Sequence, residues 1–271
     1  MVKTIFNQDR NPSELIPLPA LSDNYIWLMA LNGHAVVVDP GVPGPVEKYL
    51  DEHGLALDAV LLTHHHADHV GGAAALKQAT GAAVYGPASE TLPVCDVRLK
   101  QDDTITLENL NLHLSVLDIP GHTAGHIAYF SKSYRGKPVV FCGDTLFAAG
   151  CGRLFEGTPA QMVDSLGKLS ALPPDTLVCC GHEYTLANLR WALQVEPDSV
   201  FLRKRLDSAQ QLRSDGLPTL PSTIGAEHET NPFFRTSQKS VIDAARAYAK
   251  IPLDSEVDVF ASLREWKNNF K

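Results

Sequence analysis

Residues 64–69 read His64-His65-His66-Ala67-Asp68-His69. Four of them, His64, His66, Asp68 and His69, offer the imidazole nitrogens or carboxylate oxygens that bind first-row metal ions. The segment follows the apolar run Ala59-Val60-Leu61-Leu62 and precedes Gly71-Gly72, so the ligand types stand where a buried strand gives way to a turn. In extended chain alternate side chains share a side, which puts His64 and His66 together and turns His65 away. The turn that follows is free to carry Asp68 and His69 to a neighbouring point. One local segment can then supply two ligands to each of two metals. A solvated polar loop would explain the cluster only if it had no distant counterparts, and it has them.

The counterparts are His122, Asp144 and His182. Each comes after a hydrophobic strand and a glycine or short turn. The alternating stretch from Ile105 to Ile119 predicts a hairpin that delivers Pro120-Gly121-His122-Thr123-Ala124-Gly125-His126. Val139-Val140-Phe141-Cys142 ends at Gly143-Asp144-Thr145, and Leu177-Val178-Cys179-Cys180 ends at Gly181-His182-Glu183-Tyr184. Further strands are predicted at Ile26–Met29, after the turn Asp23-Asn24-Tyr25, and at Ala35–Val38, Ala82–Tyr85 and Ile127–Phe130. Asp39, closing one of these runs, is either a turn former or a carboxylate that orients a metal-bound histidine. Helices are predicted from Pro45 to His53, from Gly71 to Thr80, and from Thr158, which caps a helix with Pro159 in first position. Strands mixed with helices in this way predict packed sheets with helices outside.

After Tyr184 the pattern turns helical. Leu186, Leu189 and Leu193 recur at helical spacing, and Pro197 to Gly216 continues in the same manner. Prolines break the chain at Leu217–Pro221 and at Asn231-Pro232-Phe233. Two more helices are predicted near Gln238–Lys250 and Asp254–Phe270, the last with Ser255 and Asp258 as a variant capping box. The division expected is an α/β (α+β) catalytic domain over residues 1–184 and a helical domain over residues 185–271.

Composition sets the outer limits. The chain has 271 residues with 44% hydrophobic and 20% charged residues, ordinary for a globular protein. A net charge of -8 argues against a nucleic-acid partner. No 18-residue apolar run is present, and Met1–Phe6 does not resemble a secretion signal. Five cysteines with no C-x-x-C pair point to a reducing, cytoplasmic setting rather than a disulfide scaffold. Cys95, Cys142, Cys179 and Cys180 are expected as small core residues. No membrane partner is expected, and a monomer is.

The T-H-x-H-x-D-H motif with its later partners resembles the metallo-β-lactamase superfamily. Gly143-Asp144-Thr145-Leu146-Phe147, Ala149-Gly150-Cys151-Gly152-Arg153, Gly181-His182-Glu183-Tyr184-Thr185, Asn231-Pro232-Phe233 and Arg264-Glu265-Trp266-Lys267 narrow the likeness to glyoxalase II, the hydroxyacylglutathione hydrolases. The resemblance implies an αββα sandwich with a C-terminal helical domain and two divalent metals, zinc first, with iron or manganese as alternatives. One metal would take His64, His66 and His122, the other Asp68, His69 and His182, with Asp144 between them. Asp68 and Asp144 would act through a bridging hydroxide. It also implies that Arg264 and Lys267 bind the glycine carboxylate of glutathione, that Tyr184 donates its hydroxyl to the peptide part, and that Arg153, Cys151 and Gly152 complete the substrate site. Phe155 departs from the family, where some members carry a hydroxyl-bearing tyrosine.

The reaction implied is hydrolysis of S-D-lactoylglutathione to D-lactate and glutathione, the second step of methylglyoxal detoxification. A persulfide dioxygenase of the same fold needs one metal and no helical extension. A β-lactamase has no use for that extension, and a nuclease wants a basic arm. An oxygen-reducing diiron protein wants a carboxylate in place of His66. A decayed, non-catalytic scaffold would have lost ligands, and none is missing. His126 is expected to support the His122 loop.

Overall fold

A computed structural model describes residues 15–270; Met1–Phe6, with its sequence-based reading, lies outside them. The first sheet takes β1 (Leu15–Ala20), β2 (Asn24–Leu31), β3 (His34–Val38), β4 (Ala56–Leu61), β5 (Ala83–Pro87) and β6 (Val97–Leu99) in chain order. The antiparallel pairs β1–β2 and β2–β3 are followed by parallel pairs through β6. The second sheet uses β7 (Thr104–Leu107), β8 (Leu112–Asp118), β9 (Ile127–Tyr134) and β10 (Lys137–Gly143). After the small hairpin β11 (Leu146–Phe147) and β12 (Gly150–Cys151), it adds β13 (Leu177–Cys180) and β14 (Ser222–Thr223). Its order is β14-β13-β10-β9-β8-β7, with β10 and β13 parallel.

The alternation of the first sheet explains the layering. Trp27, Met29, Val36, Val38, Ala59 and Leu61 face the second sheet and share one core with Leu112, Leu114, Val116, Tyr129, Val140 and Phe141. The intervening residues Ile26, Leu28, Ala35, Val37 and Val60 pack instead with Val46 and Leu50 of α1 (Gly44–His53) and Ala73 and Leu76 of α3 (Ala73–Thr80). Both faces of β2–β4 are therefore dry, and these strands read as nearly continuous apolar runs. The one-turn α2 (Ala67–Val70) lies between β4 and α3.

On the far side of the second sheet stands α4 (Pro159–Ser170), which starts with the expected Thr158 cap, in a full capping box with Gln161. Then come α5 (Thr185–Val195), α6 (Val200–Ser214), α7 (Ile224–Thr230), α8 (Lys239–Ala249) and α9 (Glu256–Asn269), the last capped by Ser255 and Asp258 as predicted. Sheets are thus sandwiched between helices. The helical region is stitched into the sandwich, because Leu177 and Val178 pair with Thr223 and Ser222. That strand, together with β1, β6 and α7, was not predicted: two- and three-residue strands carry no periodicity to detect, and the prolines of β1 hide its register. No described helix is long and apolar enough to cross a membrane.

Candidate metal centre

The seven ligand-type residues converge at one edge of the sandwich, where β4, β10 and β13 end. Past β4 the chain is pinned by β9: Ile127 donates its N–H to Thr63 O at 3.0 Å, and the Tyr129 hydroxyl donates to Leu62 O at 2.8 Å. His64 and His66 follow at once. Asp68 and His69 sit on α2 rather than in an open turn. His122 comes from the loop joining β8 to β9, Asp144 directly after β10, and His182 two residues after β13. Two glycines make the approach close enough. A Cβ at Gly143, whose φ is +46°, would lie 2.3 Å from Thr63 Oγ1, and one at Gly181 would lie 2.5 Å from Asp144 Oδ1.

Potential ligand atoms gather in three overlapping groups, Asp39/His64/His69 and the two triads His64/His66/His122 and Asp68/His69/His182. In the first triad, His66 Nδ1 lies 3.1 Å from His64 Nε2 and 3.0 Å from His122 Nε2. In the second, Asp68 Oδ2 is 3.5 Å from His69 Nε2 and 3.4 Å from His182 Nε2. Asp144 touches both: Oδ1 is 3.4 Å from His69 Nε2, and Oδ2 is 3.4 Å from His122 Nε2 and 3.3 Å from His182 Nε2. Two ligands on a tetrahedral ion with bonds near 2.0–2.1 Å stand about 3.3 Å apart, so the donors are spaced for metal ions. Two atoms make the same point more sharply. His69 Nε2 and Asp144 Oδ1 are buried with no hydrogen-bond partner, a costly arrangement unless a cation belongs between them. The donor set fits a pair of metals.

The outer nitrogens are anchored as metal-bound histidines require. His69 Nδ1 lies 3.0 Å from Asp39 Oδ2, and the same carboxylate accepts from Thr63 N at 2.8 Å and Thr63 Oγ1 at 2.7 Å. Asp39 therefore orients the His69 ring rather than merely closing a turn. His182 Nδ1 is 2.7 Å from Asp23 Oδ1, His122 Nδ1 is 2.9 Å from Arg153 O, and Asn24 Nδ2 donates to Asp68 Oδ2 at 3.0 Å. His65 does point away, towards Glu90 at 3.0 Å and Glu156 at 3.3 Å. His126 supports the His122 loop as expected, its carbonyl accepting from the Ile119 N–H at 2.8 Å, and it does more. Its ring stacks on His64 at 4.5 Å, and its Nε2 accepts from the Asp144 N–H at 3.1 Å, so it braces the first triad and the bridging residue.

Electrostatics divide the centre. Burial drives His64 and His66 below the usual histidine value, His64 far below, with neighbouring histidines adding to it. Burial also lowers His122, against the pull of Asp144. At His69 burial acts the same way, but Asp144 and Asp39 outweigh it and hold the ring well above its ordinary value. His182 is likewise pushed up to about 10, because hydrogen bonds to Asp144 and Asp68 overcome burial. Burial would raise Asp144, yet His69 and His182 hold it well below the carboxylate range, and a hydrogen bond from His182 does the same for Asp68. Both carboxylates stay ionised near neutrality, and a cation binding there displaces protons.

A cavity of about 540 Å³ joins this cluster to the helical region. His66, Asp68, His122, Asp144 and His182 line it together with Arg153, Phe155, Tyr184, Arg264 and Lys267. Arg264 is only 6% exposed. Its Nη1 donates to Cys151 O at 2.7 Å, so that carbonyl is already engaged, and Nε donates to Asn268 Oδ1 at 3.1 Å. Lys267 is lowered to about 8 by burial and then by the charges of Arg264 and Arg153. The Tyr184 ring stacks on His182 at 4.7 Å. Phe155 sets its ring edge-on to His66 and His122, at 5.7 and 5.3 Å. Gly152 follows Cys151 with its N–H on Thr145 O at 3.1 Å.

Cys142, Cys179 and Cys180 are buried as expected; Cys95 is half-buried at the margin, a correction to its core placement. Sequence reasoning gave no role to Asp23, Asn24, Glu90, Glu156, Glu227 or Asn231. The Asp23-Asn24-Tyr25 and Asn231-Pro232-Phe233 segments were noticed as motifs, but a carboxylate 159 residues from the histidine it holds leaves no local signal.

Residues 21–182 match the metallo-beta-lactamase superfamily, and residues 183–270 match the family described as hydroxyacylglutathione hydrolase C-terminus. Curated relatives include the hydroxyacylglutathione hydrolase of Albidiferax ferrireducens, 54% identical over 95% of this chain and 100% of the relative. That of Pseudomonas entomophila is 52% identical, over 93% and 98%. Among solved structures, ETHE1 from Myxococcus xanthus is 34% identical with a TM-score of 0.53, covering 60% of this chain and 72% of its own. TTHA1623, solved in a di-iron-bound form, is 26% identical with a TM-score of 0.56, over 81% and 99%.

Proposed function

The chain belongs to the hydroxyacylglutathione hydrolases of the metallo-β-lactamase superfamily, and on that premise we propose that its chief substrate is S-D-lactoylglutathione. It is a thioester hydrolase acting on hydroxyacylglutathione. The observation that carries the finer reading is the single cavity bordered by both the metal-type cluster and the cations Arg153, Arg264 and Lys267. A glutathione thioester has a matching layout: an acyl carbonyl in the middle of the molecule and carboxylates at the peptide ends.

His64, His66 and His122 would hold one divalent ion and Asp68, His69 and His182 the other, with Asp144 shared. Such ions supply a hydroxide near neutral pH and polarise a carbonyl. The residues do the rest. Asp68 and Asp144 remain ionised as ligands. Asp39 and Asp23 fix the tautomers of His69 and His182, each ring keeping a proton on Nδ1 and its Nε2 free to ligate. Arg264 and Lys267, three residues apart on α9, share the glycine carboxylate, while Arg153 faces the same space. Tyr184 offers its hydroxyl to the peptide, with its ring position set by His182. Phe155 brings no hydroxyl, so its contribution is apolar contact beside His66 and His122. Hydroxide adds to the acyl carbon, and as the tetrahedral adduct collapses the carbonyl re-forms, the C–S bond breaks and a thiolate leaves with the bonding pair. With a thiol pKa of about 8.5, that thiolate departs without a dedicated acid.

Residues 1–184 form the proposed catalytic unit and 185–271 the glutathione-binding one, in a cytoplasmic monomer. Zinc is the proposed metal, with iron and manganese compatible with the same ligands. The product, D-lactate, completes methylglyoxal detoxification. The test is thioester cleavage of S-D-lactoylglutathione with metal analysis of the same sample. Turnover with about two ions per chain is expected. A fully loaded protein that leaves the thioester intact, and consumes oxygen with glutathione persulfide instead, overturns the reading.

A further inference from the structure

The hairpin β11–β12 follows Asp144 and carries Phe147 and Cys151 into the cavity. Besides its own ladder, which pairs Leu146 with Cys151 and Phe147 with Gly150, and the Cys142 thiol on Leu146 O, its backbone is held by side chains from the helical region. Asn231 Nδ2 donates to Phe147 O at 3.2 Å and to Gly150 O at 2.9 Å, and Asn188 Nδ2 donates to Ala148 O at 3.0 Å. Arg264 takes Cys151 O. Between them, Ala149 donates its N–H to Glu227 Oε2 at 2.7 Å while holding a φ of +54°, a left-handed conformation that a residue with a Cβ adopts only when its surroundings impose it.

Glu227 is the centre of this arrangement. It is 0% exposed, and both of its oxygens are saturated. Oε1 accepts from Arg205 Nη2 at 2.6 Å and from the Ser222 hydroxyl, and Oε2 accepts from Asn231 Nδ2 at 3.0 Å as well as from Ala149. Upstream of the hairpin lies Asp144. Downstream lies the Arg153 carbonyl that orients His122, and Gly152 N–H closes back on Thr145 O at 3.1 Å. The segment that Glu227 fixes therefore runs from the shared carboxylate of the two triads to the anchor of a first-triad histidine.

We propose that Glu227 is a positioning residue for the metal centre, moulding the 146–152 hairpin so that Asp144 and His122 hold their places. The proposal rests on the hydrolase reading of the site. The helical region then has a second task beyond binding glutathione: it completes the geometry of the reacting end.

The experiment compares the full chain with its E227Q variant, both loaded with zinc. Glutamine keeps the side-chain volume but puts an NH2 donor where one oxygen accepted, so either Ala149 and Asn231 or Arg205 and Ser222 lose that acceptor. Amide exchange over 146–152 is expected to accelerate about tenfold or more, with β2 and β9 unchanged. Zinc retention against a chelator should fall by about tenfold, and kcat for S-D-lactoylglutathione by a similar factor with KM within about twofold. A folded E227Q with parental exchange in the hairpin, parental zinc retention and parental kcat overturns the proposal. So does acceleration spread evenly over the whole chain, which marks a role in stability only. Should E227Q not fold, Arg205→Lys, which loosens Glu227 through its partner, must give the same localised pattern at smaller amplitude or the idea fails. Failure of the hydrolase reading shows separately, as a parent chain that cleaves no thioester, while exchange and zinc retention still decide the part played by Glu227.

Discussion

On the metal-ligand side of the cavity, four histidines have their remote nitrogens tied to Thr63, Asp39, Arg153 O and Asp23, and the Asp144 backbone is tied to His126. On the cationic side only Arg264 is fixed. The Lys267 and Arg153 side chains form no hydrogen bond or ion pair among the described residues; Lys267 merely lies 5.8 Å over the Phe270 ring. One side is rigid before anything binds and the other keeps rotamer freedom. Preorganised donors lower a barrier because nothing must reorient during reaction, whereas a terminal carboxylate on a flexible tripeptide needs only to be caught. Damage to the first side should therefore appear in metal content and kcat, and damage to the second in KM.

The harshest way to break this contrast is Asp144→Asn. One residue touches both triads, and an amide there supplies a neutral oxygen in place of a charge. We expect metal content to fall below two per chain and kcat to drop by about a hundredfold or more. Metal analysis with steady-state kinetics checks it; a D144N variant with full metal and full rate removes Asp144 from its shared position. One shell outward, Asp23→Asn keeps a hydrogen-bond acceptor for His182 but loses the charge. Metal affinity at the second triad should weaken by about 10–100-fold, with KM nearly unchanged, as read by chelator competition. A KM effect without a metal effect would reverse the roles assigned to the two sides.

How much of this could be read from the chain depended on distance along it. The ligands were legible because His64, His66, Asp68 and His69 are neighbours, and because His122, Asp144 and His182 each follow a strand run and a turn. The layers were legible from apolar runs such as Ala35–Val38 and the alternation after Ile105. Their partners were not. Asp23 reaches His182 and Glu227 reaches Ala149 across spans that only the folded sheets close, and Asp39 stood as one of two readings until the fold set it against His69. The hold of Arg264 on the Cys151 carbonyl, 113 residues away, was hidden in the same way. The two-residue β14, lying between proline breaks, had no pattern to show.

Arg264→Ala sharpens the contrast from the other side. It would remove the proposed charge-assisted contact to substrate and leave Cys151 O without its Arg264 donor. KM should rise by about tenfold or more, with a smaller loss in kcat transmitted through the hairpin. If kcat falls as far as KM rises, the cationic side is as much a part of the reacting geometry as the metal side.

The smallest effect is the most specific. Burial and the charges of Arg264 and Arg153 lower Lys267 to about 8, so it titrates near physiological pH. Cys151, which faces the same space, is pushed up to about 11 and stays a neutral thiol over this range. Below the lysine value the ammonium is present and contributes its charge to anion binding; as pH rises through about 8 that charge is lost. The sign is therefore a KM that is lowest on the acid side and climbs on the alkaline side, by roughly tenfold at most, because a neutral amine still donates a hydrogen bond. An ionised substrate carboxylate favours the charged lysine, so the alkaline limb belongs to kcat/KM, which reports the free chain, and the lysine adds no limb to kcat. Lys267→Arg carries a charge that does not titrate, and its KM should stay flat across the same interval while kcat keeps the parental profile. A parental KM that is already flat through about pH 9 would show that Lys267 does not meet the substrate carboxylate, leaving that contact to Arg264 and Arg153.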